Sequence, residues 1–281
     1  MLRRTFLQLG LNTAGASLLG AQSASKNASD TVLLGPQKVP VTRLAVGTGT
    51  NGVGGSSNQT RKLGLRGLAD LLEAACDHGL RLWDAADQYG THPHLRYALR
   101  RVPREKVAIL TKTRATTESE MRADLDRFRR ELNTDYIDIL LLHCMIAEDW
   151  PQRMKPVMAV IAEARERGMV RTHGVSCHSL GALSAASADP WVQVILARIN
   201  PAGVAMDGPP DAVLPVLRRA KAEGKGVIGM KILGVGRLRS RADECLRFVL
   251  ALDCVDCFTI GMESRQELDD LVARIARLGA G

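Results

Sequence analysis

Aromatic residues are scarce in this chain of 281 residues, where Phe, Tyr and Trp together make up 4%. Proteins that bind nucleic acids by stacking on the bases need several such side chains, so this composition disfavours that class. The formal net charge is +8, but no long run of Lys or Arg is present. Residues 1–29 carry three of the positive charges and no acidic residue, which leaves +5 on the remainder. We therefore expect no nucleic-acid partner.

Long apolar runs are also missing. The most apolar N-terminal stretch, residues 9–21, is broken by Gly, Asn, Thr and Ser, so it is too short and too polar for a transmembrane helix. It follows Arg3-Arg4-Thr5-Phe6-Leu7, and this arrangement resembles a twin-arginine export signal. We predict a signal peptide over residues 1–29, cleaved near residues 21–25. The alternative is an ordinary basic N-terminal tail.

The resemblance of the N-terminus implies a location and a partner. A bacterial protein with such a signal is exported to the periplasm, with the twin-arginine machinery as its partner and no stable membrane insertion.

Cysteine and histidine give little sign of a metal site or a disulfide framework. Six cysteines are present, but only Cys254 and Cys257 are close in sequence. They fall at a predicted strand, where residues three apart point to opposite faces, so a disulfide between them would be strained. No three His or Cys residues have an obvious metal-ligand spacing; the ones considered are His92, His94, His143, Cys144, His173, Cys177 and His178. We predict buried thiols and no metal.

The hydrophobic pattern alternates between short apolar runs and longer segments with helical spacing. Strands are predicted at 43–47, 80–84, 107–112, 137–143, 170–176, 192–199, 226–231 and 255–261. Helices are predicted at 67–78, 93–101, 118–132, 152–167, 180–188, 211–223, 241–252 and 265–278. Eight strand–helix units in about 250 residues match one (β/α)8 barrel, so the predicted fold class is α/β, a single TIM barrel over residues 30–281.

Two segments need separate interpretation. Residues 47–52 read Gly-Thr-Gly-Thr-Asn-Gly, the spacing of a dinucleotide-binding turn, but the Gly/Ser/Asn-rich segment 53–60 is not expected to open a helix. We therefore predict a loop at the barrel mouth. Residues 31–41 precede the first barrel strand and are predicted to form a hairpin that closes the lower end of the barrel.

Polar residues stand where the second, third and fourth predicted strands end. Asp84 and Lys112 end two of them, Tyr89 follows Asp84 by five residues, and His143 ends the next. Barrel enzymes carry their reactive groups at this end. A Tyr has a pKa of about 10, so proton transfer near neutrality calls for a neighbouring cation such as Lys112. Asp84 can orient Lys112, and His143 can donate a hydrogen bond to a substrate carbonyl.

These residues lie in segments that resemble the aldo/keto reductases over about residues 39–278. The segments are Leu44-x-x-Gly47-Thr48, Asp84-x4-Tyr89-Gly90, Leu110-Thr111-Lys112, Leu140-Leu141-Leu142-His143 and Gly174-Val175-Ser176. The resemblance implies an oxidoreductase with Asp84, Tyr89, Lys112 and His143 as its catalytic positions. It also implies NADP or NAD across the barrel top, hydride transfer, and Tyr89 as the group that protonates the carbonyl.

The same resemblance places the cofactor at Ser176, Cys177, Lys231, Gly261, Ser264 and Arg265. Several positions depart from the family pattern. Cys177 replaces an Asn, Leu196 a Gln, Met230 an aromatic residue, Glu267 an Arg and Leu271 an Asn. A carboxylate at Glu267 would repel a 2′-phosphate and so favours NAD, unless Arg265 offsets it.

His92 and Trp150 are the predicted substrate contacts, because both follow strand ends that face the mouth. The alternatives are an exposed loop histidine and a tryptophan that packs its loop onto the barrel. The expected substrate is a small polar metabolite, for example a sugar derivative. Two other functions stay open: proton transfer or elimination by Tyr89 and Lys112 without hydride transfer, and a non-catalytic periplasmic binding protein.

Overall fold

The computed structural model describes residues 25–280. Most of the predicted export signal therefore lies outside the described residues. The described chain packs onto the barrel from Lys26, whose backbone N–H donates to the carbonyl of Gly279 at 2.9 Å. Ala28 is buried, and its carbonyl accepts from the N–H of Leu44 at 3.0 Å. Packing thus begins three residues before the predicted signal boundary at residue 29.

Strands and helices alternate through the described chain. Two strands precede the barrel, β1 (Thr31–Leu34) and β2 (Val39–Thr42). The barrel strands are β3 (Leu44–Gly47), β4 (Leu82–Asp84), β5 (Ala108–Thr113), β6 (Ile137–Met145), β7 (Val170–Cys177), β8 (Val194–Arg198), β9 (Gly226–Met230) and β10 (Cys257–Gly261). The helices are α1 (Asn58–Asp77), α2 (His92–Ala98), α3 (Glu118–Leu132), α4 (Trp150–Arg153), α5 (Lys155–Glu166), α6 (Leu180–Ala188), α7 (Pro210–Ala222), α8 (Ala242–Ala251) and α9 (Arg265–Gly279).

Strands β3 to β10 form a closed parallel barrel in sequence order. The ring closes where β10 pairs with β3, with Phe258 opposite Leu44 and Gly261 opposite Gly47. This is the predicted (β/α)8 architecture. Each barrel strand begins and ends within two residues of its predicted bounds, because the near-continuous apolar runs mark strands that are buried on both faces.

Side chains alternate between the inside and the outside of the barrel wall. On β6, Ile139 and Leu141 join the cluster inside the barrel, while Leu140 and Leu142 join the larger cluster between the barrel and the helices. The same period of two sends Asp84, Lys112 and His143 inward, at the carboxyl ends of their strands. The barrel interior is therefore apolar in its lower part and carries polar side chains at the carboxyl ends of these strands.

The hairpin β1–β2 fills the opposite end of the barrel. Its strands pair antiparallel, with Leu34 opposite Val39. Leu34, Val39 and Val41 are buried in the same cluster as the inward-facing residues of the barrel strands. The predicted closure of the lower end is confirmed.

The prediction for residues 53–60 is wrong in part. Residues 48–52 do form a loop after β3, but α1 begins at Asn58, within the segment that was not expected to open a helix. Ser57 and Thr60 form a capping box, which satisfies the first backbone N–H groups and starts the helix despite the weak local propensity. Gly64 has a φ of +63° and separates this first turn from the predicted amphipathic part.

Within residues 25–280, none of the helices has the length and apolarity needed to cross a membrane.

The hairpin predicts a stability effect. Leu34 is fully buried in the barrel interior, whereas its neighbour Leu33 is 59% exposed. We expect Leu34→Ala to lower the free energy of unfolding by about 2–5 kcal/mol, because it leaves a cavity in the packed lower layer. Leu33→Ala is the matched control and should change it by less than about 0.5 kcal/mol. Urea unfolding followed by circular dichroism measures both; equal effects would show that the hairpin does not fill the barrel.

Candidate active site

The four polar residues predicted from the strand ends meet at the barrel mouth. Asp84, Lys112 and His143 point inward from β4, β5 and β6, and all three are almost fully buried. Tyr89 ends a single 3-10 turn, Asp87–Tyr89, that follows β4. Lys112 Nζ lies 4.8 Å from the centre of the Tyr89 ring, and the Tyr89 and His143 rings are 5.7 Å apart in an edge-on arrangement.

Lys112 and Asp84 form a buried ion pair. Lys112 Nζ also donates to the carbonyl of Ala85 at 2.8 Å. The second carboxylate oxygen of Asp84 accepts from the hydroxyl of Thr259, on β10, at 2.8 Å. A buried ion pair is tolerated only when its remaining hydrogen-bonding groups have partners, and Thr259 and Ala85 supply them here. Thr259 was not among the predicted site residues, because its partner lies 175 residues away in sequence.

The pair keeps Lys112 charged. Burial alone would lower the pKa of Lys112, but the charge of Asp84 and the hydrogen bonds with Asp84 and Tyr89 outweigh burial and raise it above its ordinary value. A permanent cation therefore sits beside the Tyr89 ring.

Tyr89 is held in its protonated form. Burial raises the pKa of its hydroxyl, while the charge of Lys112 opposes that shift without reversing it. The pKa is therefore above its ordinary value, so the phenol carries its proton at neutral pH. The adjacent cation stabilises the phenolate that would remain after the proton has been donated.

His143 is a neutral imidazole. Burial, followed by the positive charges of Lys112 and other cations at the mouth, lowers its pKa to about 2. A neutral ring carries one N–H, so His143 can donate one hydrogen bond to an oxygen at the mouth.

The glycines of the loop after β3 form a flat surface against the Tyr89 ring. A Cβ atom at Gly49 would lie 2.2 Å from the ring, and one at Gly52 would lie 2.3 Å from it. No real Cβ atom approaches a neighbour so closely, so both positions must be glycine for the ring to stay where it is. The Gly-x-Gly-x-x-Gly segment thus positions the tyrosine, a role that its sequence pattern does not reveal.

A cavity of about 420 Å³ opens beside these groups, between the ends of β3, β9 and β10. Tyr89 and Asp84 line one part of it, and the side chains of Leu196 and Met230 form an apolar part. Basic side chains line another part, namely Lys62, Lys231, Arg237 and Arg239, together with the carboxylate of Glu263. Lys62 forms an ion pair with Glu263, whereas Arg237 and Arg239 make no salt bridge with any described residue.

The sequence matches the model of the Aldo/keto reductase family over residues 44–248, which is most of the chain. The chain belongs to the aldo/keto reductase family. No curated protein matches it in sequence.

Several solved structures of aldo-keto reductases are similar in fold. A candidate aldo-keto reductase from Pseudomonas aeruginosa has a TM-score of 0.75 at 22% identity, covering 90% of this chain and 97% of its own. The holo form of an aldo-keto reductase from Bacillus halodurans has a TM-score of 0.71 at 16% identity, covering 89% and 91%. A candidate 2,5-diketo-D-gluconic acid reductase B reaches 0.67 at 19%, covering 89% and 87%. At these identities the likeness concerns the barrel alone.

The aldo/keto reductase resemblance predicted six cofactor-binding residues, and the structure brings only two of them to the cavity. Lys231 and Gly261 line it. Ser176 is buried behind it, where its hydroxyl oxygen accepts from the backbone N–H of Cys144 at 2.8 Å. Cys177 points outward into the apolar cluster between barrel and helices and is fully buried there. Its thiol therefore cannot contact a molecule in the cavity.

The two predicted residues at the start of α9 serve the helix instead. The Ser264 hydroxyl caps α9 by accepting from the N–H of Glu267 at 3.1 Å. Arg265 is exposed and pairs with Asp269 one turn along the helix, at 2.9 Å. Neither side chain lines the cavity, so the expected offset of Glu267 by Arg265 is not present in this arrangement.

The replaced family positions differ in where they lie. Leu196 and Met230 line the cavity, as expected for residues in place of cofactor contacts. Leu271 is buried in the apolar cluster beneath α9. Glu267 turns back, and one of its carboxylate oxygens accepts from the N–H of Glu263 at 2.7 Å.

The predicted substrate contacts His92 and Trp150 are not at the cavity, which corrects both expectations. His92 is buried outside the barrel wall, where its ring nitrogens lie 2.7 Å from Thr111 Oγ1 and 2.7 Å from Glu131 Oε2. Trp150 begins α4 and is buried against α6, where its ring N–H donates to the carbonyl of Ala182 at 3.2 Å. The structure therefore agrees with the alternative interpretation of Trp150, a tryptophan that packs its loop onto the barrel.

The His and Cys residues considered for a metal do not form one group. Cys144 Sγ lies 3.7 Å from His178 Nε2 beside the mouth, but no third ligand joins them. In the part of the chain that the structure describes, no set of three or more His, Cys, Asp or Glu could hold a metal ion.

The glycine surface predicts an effect on catalysis. Gly49→Ala should lower turnover by about a hundredfold, because the new methyl group displaces the Tyr89 ring from its position beside Lys112. Gly208→Ala is the matched control, since its Cβ atom would lie 3.6 Å from its nearest neighbour, at ordinary contact distance. Steady-state kinetics with an aldehyde checks the effect and thermal unfolding checks the fold. Normal turnover in Gly49→Ala would contradict the positioning role.

Proposed function

We propose that this protein is a nicotinamide-dependent oxidoreductase that interconverts a carbonyl and an alcohol on a small polar metabolite, such as a sugar derivative. The observation that carries the proposal is the convergence of Tyr89, Lys112, Asp84 and His143 at the mouth of an aldo/keto reductase barrel, where Tyr89 and Asp84 line a cavity. Tyr89, Lys112 and His143 have the protonation states that carbonyl reduction requires.

Tyr89 is the proposed general acid. Its phenol is protonated at neutral pH and can donate that proton to the carbonyl oxygen of a substrate. Lys112, held charged by Asp84, stabilises the phenolate that results. His143, held neutral by burial, donates its N–H to the same oxygen and orients it. In the direction of oxidation the phenolate accepts the proton back.

The cavity has features that fit NADP or NAD. Arg237 and Arg239 line the cavity without a salt-bridge partner among the described residues, so they can bind the phosphates. Leu196 and Met230 offer an apolar surface to a flat ring. When bound, the nicotinamide would supply or accept the hydride. Since Glu267 is engaged with the backbone of Glu263, its charge remains near the end of the cavity and favours NAD over NADP.

The cavity also supports a second function. Leu196 lacks the polar group of the Gln that it replaces, Met230 lacks the ring of the aromatic residue that it replaces, and Cys177 points away. If the nicotinamide does not bind, the protonated phenol of Tyr89 beside Lys112 can still donate its proton to the leaving group of an elimination. Fluorescence titration with NADH and NADPH separates the two functions, because only the first requires a nucleotide to bind.

The proposed acid predicts a loss of turnover. Tyr89→Phe removes the proton donor but keeps the ring that packs on Gly49 and Gly52, so the fold should be unchanged. We expect turnover of an aldehyde panel to fall by about a hundredfold or more. Tyr97→Phe is the matched control, because Tyr97 lies on α2 and does not line the cavity. Full activity in Tyr89→Phe would refute the proposed mechanism.

We further propose that the protein is exported by the twin-arginine route. The support is the segment Arg3-Arg4-Thr5-Phe6-Leu7 and the weakly apolar stretch after it. A variant with Arg3→Lys and Arg4→Lys keeps the charge but should leave the full-length protein in the cytoplasm, while Gln22→Asn should be exported like the wild type. Immunoblotting of periplasmic and cytoplasmic fractions measures this; export of the double variant would exclude the route.

A further inference from the structure

Lys231 sits at the barrel mouth in an unusual backbone conformation. It follows the last residue of β9 and lines the cavity. Its φ is +58°, in the left-handed region that favours glycine. A residue with a side chain in this region costs of order 1–3 kcal/mol and persists only where the surroundings hold it. A lysine therefore occupies a position that glycine would fill with less strain.

The surroundings of Lys231 do hold it. Its carbonyl accepts from the N–H of Gly234 at 2.8 Å and from the side chain of Asn200 at 3.2 Å. Asn200 is fully buried, and it also binds the backbone of Val204, at 2.8 Å and 3.1 Å. The loops after β8 and β9 are thus tied together at one asparagine, which fixes the direction in which Lys231 leaves the strand.

The charge of Lys231 has no counter-ion among residues 25–280. Asp84, the carboxylate whose charge acts on Lys231, is already paired with Lys112. Burial, together with the charges of Arg198 and Lys112, lowers the pKa of Lys231. Arg114 also makes no salt bridge with a described residue, and the charges of Arg114 and Lys231 both act on His143 and Cys144. The mouth beside the catalytic groups therefore carries excess positive charge.

Lys231 differs from the other basic residues of the cavity in the groups on which its charge acts. Arg237, Arg239 and Lys62 lie along the part that would take nucleotide phosphates. Lys231 instead lies within electrostatic reach of His143, Cys144 and His178, at the ends of β6 and β7. It lines the same cavity as Tyr89 and Asp84, into which a carbonyl must enter to receive the proton of Tyr89.

We propose that Lys231 binds a carboxylate of the substrate, so that this site prefers an oxo acid to an uncharged aldehyde or ketone. The proposal rests on the proposed function for the reaction, and it reassigns Lys231 from the cofactor to the substrate. A single lysine matches a single carboxylate in charge, and the carboxylate supplies the counter-ion that the folded chain leaves out.

The test compares two aldehydes of nearly the same shape, 4-carboxybenzaldehyde and its methyl ester, which is uncharged. The full-length protein and the variants Lys231→Met and Arg239→Met are assayed with NADH and NADPH. We expect the wild type to prefer the acid in kcat/KM, and Lys231→Met to lower that preference by about tenfold or more, mainly through KM, since a hydrogen bond to a charged group is lost. Arg239→Met should keep the preference and weaken nucleotide binding in a fluorescence titration.

Two results would overturn the proposal: an unchanged preference in Lys231→Met, or a loss of nucleotide affinity in Lys231→Met as large as that in Arg239→Met. Failure of the proposed function is recognised separately, because the wild type would then turn over neither aldehyde. In that case calorimetric titration with benzoate and benzamide decides. Benzoate binding that Lys231→Met abolishes supports the carboxylate site, and equal or absent binding of the two compounds overturns it.

Discussion

The buried ion pair between Lys112 and Asp84 is the interaction on which the site depends. Two charges removed from water cost more than their attraction returns unless every remaining polar atom finds a partner. The barrel meets that condition with groups from distant strands, the carbonyl of Ala85 and the hydroxyl of Thr259. The pair in turn affects the pKa values of its neighbours. The charge of Lys112 opposes the rise that burial causes in the pKa of Tyr89, and it helps to lower the pKa of His143, which stays neutral.

The closed parallel barrel makes this arrangement possible. It brings the carboxyl ends of all its strands to one rim, and the alternation along each strand sends Asp84, Lys112 and His143 to the inside of that rim. The lower end is filled by apolar side chains and by the hairpin β1–β2, so polar groups accumulate only at the mouth. The glycine loop after β3 then confines Tyr89, the one member of the polar cluster that is not on a strand.

Basic side chains line more than one part of the cavity. Arg237 and Arg239 make no salt bridge with a described residue, and the charge of Lys231 acts on His143. The apolar residues Leu196 and Met230 lie in the cavity wall as well. In the function that we propose, Arg237 and Arg239 bind an anionic cofactor and Lys231 binds an anionic substrate.

The sequence by itself determined the barrel and three of the polar residues that meet at its mouth. Apolar runs of strand length mark the eight barrel strands. Side chains alternate between the inside and the outside of the barrel, so a polar residue at the end of a run faces the mouth when it lies an even number of residues from an inward-facing one, as Asp84, Lys112 and His143 do. Tertiary structure alone decided which side chains outside the strands reach the cavity. His92 packs against α3 and Trp150 against α6. The side chain of Cys177 points to the outside of the barrel. Helix α1 starts earlier than its composition suggests. Thr259, Gly49 and Lys231 acquire their roles from contacts with residues far away in sequence, and no local pattern records such contacts.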